Sequence, residues 1–466
     1  MLSLLFLGVI AGCLYFLNRS RSRNHPPGPK PHILFGNIFD FPASSDLVSR
    51  AQQWKEDYGS IVHLSALGRH IVVLNDVATS VELLEKRGYN YADRPHFPMV
   101  GELCGFDRLP AIASNGFSPR LRALRKLLKT EVGAERLADW EENMEVEVAT
   151  YVKKLQQEPE DFVRHNRWFA VDVIMLFSYG YRVALKDDYH MAAADRIMSK
   201  LSRDAQPGTW LVDLIPAMKH FPRWMPFHRY ASQSRKELDD WVTEPWKLVK
   251  SRQTTLPSLC TRLMDQCPDL TPEEEDLIVW SAASIYSAGS DTTVSALTTF
   301  FLAMTMFPSV QRKAHREIAQ VIGEELRLPR FSDQPDLPYI SALIMEVFRW
   351  GAILPMGAPR RASADDLFQS YIIPEGSFVM PNIWGICHDE KVYPRPMEFD
   401  PSRFLGANPQ PDPRDVIFGF GRRVCPGRYL AEKSLYIAVT ATLSAFEISE
   451  IEGSPPFYSF DDGFIR

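Results

Sequence analysis

Along most of the chain apolar residues recur at three- and four-residue intervals, the spacing that turns one face of an α-helix toward a core. The longest such run is "LTPEEEDLIVWSAASIYSAGSDTTVSALTTFFLAMTMFP". Thr271 and Glu274 form a capping-box pattern at its start, and Pro272 takes the first helical position. No stop signal follows until Pro308, which predicts a helix of about 35 residues, roughly 50 Å long. Beyond Asp276 its only charged residue is Asp291, so the helix is expected to run through the core. Further helices are predicted over "YISALIMEVFRWGAI" and from near Arg428. The pattern changes to β-branched runs in "GSIVHLSALGRHIVVLN", which reads as a hairpin turning at Gly68-Arg69. In "SYIIPEGSFVMPNIWGI" short strands flank a Pro374-Glu375-Gly376 turn. The expectation is a mainly α protein with a small β portion, built as one large domain.

The first residues break this pattern. Residues 1–18, "MLSLLFLGVIAGCLYFLN", carry no charged side chain and reach the short end of a membrane-spanning length. Arg19, Arg21 and Arg23 follow the apolar run, whereas a cleaved signal has its positive charge in front. This asymmetry predicts a retained transmembrane anchor with the rest of the chain in the cytosol. Residues 19–31 form a basic, proline-rich linker in which Pro26, Pro27, Pro29 and Pro31 forbid helix. Residues 32–466 remain for the globular body.

Composition narrows the function. The 466 residues carry a net charge of -6 and no lysine-arginine block, which excludes a nucleic-acid partner. Six scattered cysteines show no C-x-x-C pair, so neither a disulfide framework nor a cysteine-based zinc site is signalled. No G-x-G-x-x-G fingerprint or Walker loop is present, so the chain has no nicotinamide or flavin motif of its own.

Three constellations carry candidate chemistry. Asp291 lies mid-helix beside Gly289, Thr292 and Thr293, where a threonine bonding back one turn bends a helix. That stretch reads either as a kink against a neighbour or as a groove with a proton donor in reach. Glu346 and Arg349 have the spacing of an ordinary surface ion pair. The stretch "FGFGRRVCPGRYLAEKSLYIAV" is more specific: Phe418, Gly421, Arg423, Cys425 and Gly427 fit F-x-x-G-x-R-x-C-x-G. Its cysteine stands before a helix, where backbone N–H groups and the helix dipole favour a thiolate. A lone sulfur without a histidine base suits a metal ligand better than a nucleophile, and specifically an iron already held by a porphyrin.

With these motifs in this order, the chain resembles the cytochrome P-450 family of haem-thiolate monooxygenases, fungal microsomal members especially. "AGSDTT" is similar to that family's oxygen-binding kink, Glu346-x-x-Arg349 to its helix pair, and Arg403 in "PSRF" to the third member of a buried charge cluster. The resemblance implies the P-450 fold, heme b ligated by Cys425, and insertion of one oxygen atom of O2 into a hydrophobic terpenoid, steroid or aromatic. It implies Thr292 as hydrogen-bond partner of dioxygen, Asp291 as proton relay, and Arg125, Arg360 and Arg423 as propionate partners. Electrons are expected from an NADPH-cytochrome reductase, with cytochrome b5 as a second candidate donor, at an endoplasmic reticulum membrane; Arg422, Arg428 and Lys433 read either as a basic docking face for it or as ordinary solvated charge. Candidate pocket segments are "FPMVGELCGF", "WLVDLIPAMKHFPRWMPF" and "ILPMGAP", and Trp210, Phe221 and Trp224 of the second read either as a surface that dips into the membrane or as plain core packing. Two departures stand out. Leu121 occupies the place of a tryptophan four residues before Arg125, and "FDDGFIR" stops short of the last strands expected of the family. The competing readings are a haem-thiolate isomerase or dehydratase, and a non-catalytic haem-binding remnant.

Overall fold

The computed structural model describes residues 24–451 and 453, apart from 33–34, 41–46, 67, 207, 255 and 324–326. The apolar segment 1–18, residues 19–23 of the linker and "FDDGFIR" lie outside the described residues. Among the described residues no single helix is long and apolar enough to cross a membrane.

The long helix spans Pro272–Met306, 35 residues. Thr271 accepts from the Glu274 N–H, while its own N–H donates to Glu274 Oε2 at 3.0 Å, so two end groups are satisfied reciprocally. Buried residues occupy most of its circumference, as its lack of charge requires. Against it packs helix Phe162–Tyr179, buried at every residue from Trp168 to its end. Their close approach depends on Gly289, where a Cβ would lie 2.6 Å from Ile174 Cδ1. Helices Pro119–Glu131, Pro338–Gly351 and Arg428–Ala445 complete the packing around the long helix.

The β portion is a four-stranded sheet and a two-stranded ribbon. Strands β1 (Ile61–Ala66) and β2 (Arg69–Leu74) form the expected hairpin, with Gly68 at φ 78° in the turn. Strand β3 (Arg360–Arg361) closes the far edge of that sheet, and β4 (Asp366–Phe368) pairs only with β5 (Tyr371–Ile373). Strand β6 (Phe378–Pro381) runs parallel to β2, with Ile71 opposite Phe378, and antiparallel to β3. The strands flanking the Pro374–Gly376 turn therefore belong to different sheets.

Candidate functional site

The site is built around the turn that presents Cys425. Gly419 and Gly421 adopt φ 78° and 51°, left-handed values that double the chain back. A side chain at Gly421 would put its Cβ 2.6 Å from the Leu84 carbonyl oxygen. Phe418 packs edge-on against Phe348, with centroids 5.4 Å apart, and its carbonyl accepts the Cys425 N–H at 2.8 Å. Gly427 is the N-cap of helix Arg428–Ala445, so the sulfur stands at the helix entrance. Burial pushes the Cys425 thiol up from its ordinary value, opposed by the Gly427 N–H and the Arg125 charge. Sequence reasoning expected the helix end to favour the thiolate, but desolvation outweighs it here. Such a thiol is a poor free nucleophile and gives up its proton on binding a metal.

Four arginines converge beside this loop. Arg125 donates Nη2 to the Val424 carbonyl at 2.8 Å, and Arg360 donates Nη2 to the Phe420 carbonyl at 2.9 Å. Arg423 binds the carbonyls of Ala92, Pro110 and Ala113 at 2.7, 2.8 and 2.8 Å, which fixes the loop to the preceding segment. Arg94, absent from the sequence reading, donates Nη1 to the Pro359 carbonyl at 2.7 Å. Burial, then mutual repulsion, pulls Arg360 down to about 9 and Arg423 to about 10, and holds Arg94 well below its ordinary range. Among the described residues, Arg360 Nη1 and Arg94 Nε are buried without a hydrogen-bond partner. Clustered guanidiniums with unsatisfied donors call for a dianion, and the two carboxylates of a porphyrin fit that demand. Leu121 is 2% exposed on the helix that carries Arg125 and adds no side-chain donor.

On the long helix, Ser284, Ala288 and Thr292 recur every fourth residue and keep accessible surface amid buried neighbours. Thr292 Oγ1 donates to the Ala288 carbonyl at 2.8 Å. Gly289 faces Ile174 of the neighbouring helix, and the accessible position is Ala288. Asp291 pairs through Oδ1 with Arg167 Nη2 at 3.1 Å, and Arg167 also binds Asp195. Burial raises the Asp291 carboxyl above its ordinary pKa, while Arg167 pulls it down and Asp195 pushes it up. Arg167 and Asp195 are 30% and 42% exposed, so this charge chain leads from Asp291 to solvent.

Glu346 and Arg349 are fully buried, contrary to the surface pair their spacing suggests. Glu346 accepts from Arg349 Nε and Nη2 at 2.7 and 2.8 Å, from Arg403 Nε at 3.2 Å and from the Asp400 N–H at 2.9 Å. Arg349 also binds the carbonyls of Cys387 and Pro396. The triad fastens helix Pro338–Gly351 to the segment leading toward the cysteine loop. The expected basic docking face is reduced, because Lys433 pairs with Glu141 and Arg428 with Glu432 and Asp415. Arg422 remains exposed, over the Phe117 ring.

Comparison with known proteins identifies the family. A family model described as Cytochrome P-450 matches residues 26–465. Cytochrome P-450 monooxygenase 208 of Postia placenta is 39% identical over 436 residues, covering 91% of this chain and 84% of that protein. Cytochrome P-450 monooxygenase claR of Ampulloclitocybe clavipes is 34% identical over 457 residues, covering 95% and 84%. Cytochrome P-450 monooxygenase ple1 of Rhodocybe pseudopiperita is 36% identical over 462 residues, covering 96% and 88%.

Proposed function

The chain belongs to the cytochrome P-450 family, and on that premise we propose that it oxygenates an apolar small molecule of the terpenoid, steroid or aromatic class. The observation that carries this reading is the set of buried arginines with unsatisfied donors beside the Cys425 loop. Cys425 would hold the iron, Arg94, Arg125 and Arg360 would bind the propionates, and Arg423 holds the loop in place. Haem, when bound, supplies the redox centre at which dioxygen is activated.

The chain's own residues then manage protons and water. Thr292 keeps its Oγ1 proton on the Ala288 carbonyl and can offer it along the accessible stripe. Asp291 is linked toward the surface by its ion pair with Arg167, which also binds Asp195, and burial favours the protonated carboxyl, so Asp291 can hold a proton beside Thr292. Electrons come from an NADPH-dependent reductase, with cytochrome b5 as a second donor, and Arg422 contributes positive charge to the docking face.

Membrane association rests on two apolar segments beside the β1–β2 turn. Arg69 binds the Asp213 carbonyl, and Gly36 bridges Ala66. Leu211, Ile215, Phe221 and Trp224 on one side, and Phe35 and Phe39 on the other, expose large apolar side chains. Such a face suits the surface of the endoplasmic reticulum, next to an anchor at residues 1–18. Trp210 instead packs on Tyr230 with centroids 4.9 Å apart.

The test is turnover of holoprotein with reductase against terpenoids, steroids and polyaromatics under isotopically labelled dioxygen. One labelled oxygen atom in the product, with matched NADPH consumption, is the expected result. Thr292→Ala should keep haem yet divert oxygen to peroxide by a factor of about 10 or more. Unlabelled product from the parent, or unchanged coupling in Thr292→Ala, would overturn the assigned chemistry.

A further inference from the structure

Three histidines with no part in the haem site meet where the linker joins the sheet. His25 immediately precedes Pro26 in the linker, His63 lies on β1 and His70 on β2. Because Ser65 stands opposite His70, and His63 is two residues before Ser65, both strand histidines project from the same sheet face. His63 Nε2 and His70 Nδ1 are 2.8 Å apart. The His25 ring stacks on His63 at 4.6 Å between centroids and lies 5.2 Å from His70. One ligand nitrogen from each ring falls within 4.8 Å of the other two.

These distances suit a shared ion. Nitrogens bound tetrahedrally at about 2.0–2.1 Å stand roughly 3.4 Å apart, so an ion entering here displaces the proton shared by His63 Nε2 and His70 Nδ1 and turns the stacked rings until their in-plane lone pairs converge. His25 Nδ1 contacts the Ile372 carbonyl at 3.1 Å, and donation there leaves the lone pair on Nε2. A backbone carbonyl orienting the second ring nitrogen is the usual support of a metal-bound imidazole. Backbone bonds already press the linker onto the sheet. The His63 N–H donates to the Pro27 carbonyl at 2.8 Å, and the Ile372 N–H to the Asn24 carbonyl at 2.7 Å.

We propose that His25, His63 and His70 bind one zinc ion, with water in the fourth position, and so fasten the linker to the β1–β2 hairpin. An all-imidazole set with no carboxylate or thiolate suits a divalent ion late in the first transition row, and zinc adds tetrahedral geometry without redox chemistry. The hairpin so fastened is the one whose turn touches the 211–224 segment, so the ion sets the path by which the linker leaves the body.

The experiment uses untagged holoprotein dialysed against zinc and then against a weak chelator. The expected results are one zinc per haem iron and, at the zinc absorption edge, a shell of three imidazole nitrogens at about 2.0 Å. His25→Gln and His70→Gln should each weaken zinc retention by at least about tenfold while leaving the reduced carbon monoxide spectrum intact. Zinc should raise the thermal midpoint of the parent and not that of the double variant. Loss of zinc from the parent on dialysis, a shell with fewer than three imidazoles, or equal retention by the variants would overturn the proposal.

Discussion

Replacing Arg360 by methionine, which keeps chain length and removes the guanidinium, should move two measurements in opposite directions. Arg360 is 4% exposed, bound through Nη2 to the Phe420 carbonyl, and without a partner for Nη1 among the described residues. Burial, then Arg423 and Arg125, pulls its pKa from the ordinary guanidinium range down to about 9. That fall corresponds to about 5 kcal/mol acting against the charged form in the haem-free chain. The Phe420 carbonyl keeps the Arg423 N–H at 3.4 Å, so losing the Arg360 bond costs about 0.5–1.5 kcal/mol and the haem-free variant should gain about 4 kcal/mol. Since the folded pKa lies below the unfolded one, the unfolded chain binds more protons from about pH 9 up to the ordinary guanidinium range. The penalty is therefore fully present below about pH 9 and fades as pH rises through that window. With haem in place the sign reverses, because a charge-assisted bond to a carboxylate is worth about 1.5–3 kcal/mol. Haem should pass to a scavenger protein roughly 10- to 100-fold faster from the variant. Urea unfolding of the haem-free protein near neutral pH and near pH 10 supplies the other arm. A variant that holds haem as firmly as the parent, or whose haem-free form is the less stable, would refute the assignment of this cluster.

Three other changes probe separate parts of the chain. Glu346→Ala strands two buried guanidiniums and should cost about 3–5 kcal/mol, read as a lower urea midpoint and a loss of haem-loaded protein; a parental midpoint would contradict the triad. Asp172 is pushed up to about 8 by burial and then by Glu147, so the folded state binds the extra proton between about pH 3.8 and 8. The stability this brings is fully present below the unfolded pKa and is lost as pH rises toward 8. Asp172→Asn keeps an acceptor for the Val183 N–H and should be more stable than the parent by about 1–3 kcal/mol near pH 8, an advantage that shrinks near pH 5. Gly289→Ala gains about 1 kcal/mol of helix propensity but presses on Ile174 Cδ1, and overpacking of about 1–3 kcal/mol should lower the thermal midpoint. Adding Ile174→Val, which removes that methyl, should turn the loss into a gain; a stabilising single variant would contradict the close approach.

The parts legible in the sequence are those whose causes are local. Thr271, Pro272 and Glu274 set the start of the long helix within four residues, and Pro308 sets its end, so both limits agree with the structure. The hairpin turns at Gly68, and the cysteine loop depends on glycines within two to six residues of Cys425. What stayed hidden depends on partners distant in sequence. Glu346 and Arg349 look like any exposed pair until Arg403 and the carbonyls of residues 387 and 396 close over them. Strand β6 finds β2 from 300 residues away, and no local pattern names that partner. Arg94 is a lone arginine in the aromatic stretch "YNYADRPHF", and a charge set among apolar rings was the one available signal. Gly289 shows only a missing side chain in the sequence, whereas the neighbour it accommodates, Ile174, is decided by helix packing.

The contrast between the two arginine groups carries the functional reading. Arg349 and Arg403 are as deeply buried as Arg360 and Arg423, yet their donors end on Glu346 and on backbone carbonyls. That group is complete, and a complete buried network serves structure. Around Arg360 the neighbouring charges acting on it are those of Arg423 and Arg125, both repulsive, and a buried donor is left over. A fold that tolerates such a cluster has the opposing charge supplied by a guest rather than by the chain. Two carboxylates are needed within reach of the one sulfur that the loop presents, and a porphyrin ligated by Cys425 brings both requirements together in a single molecule.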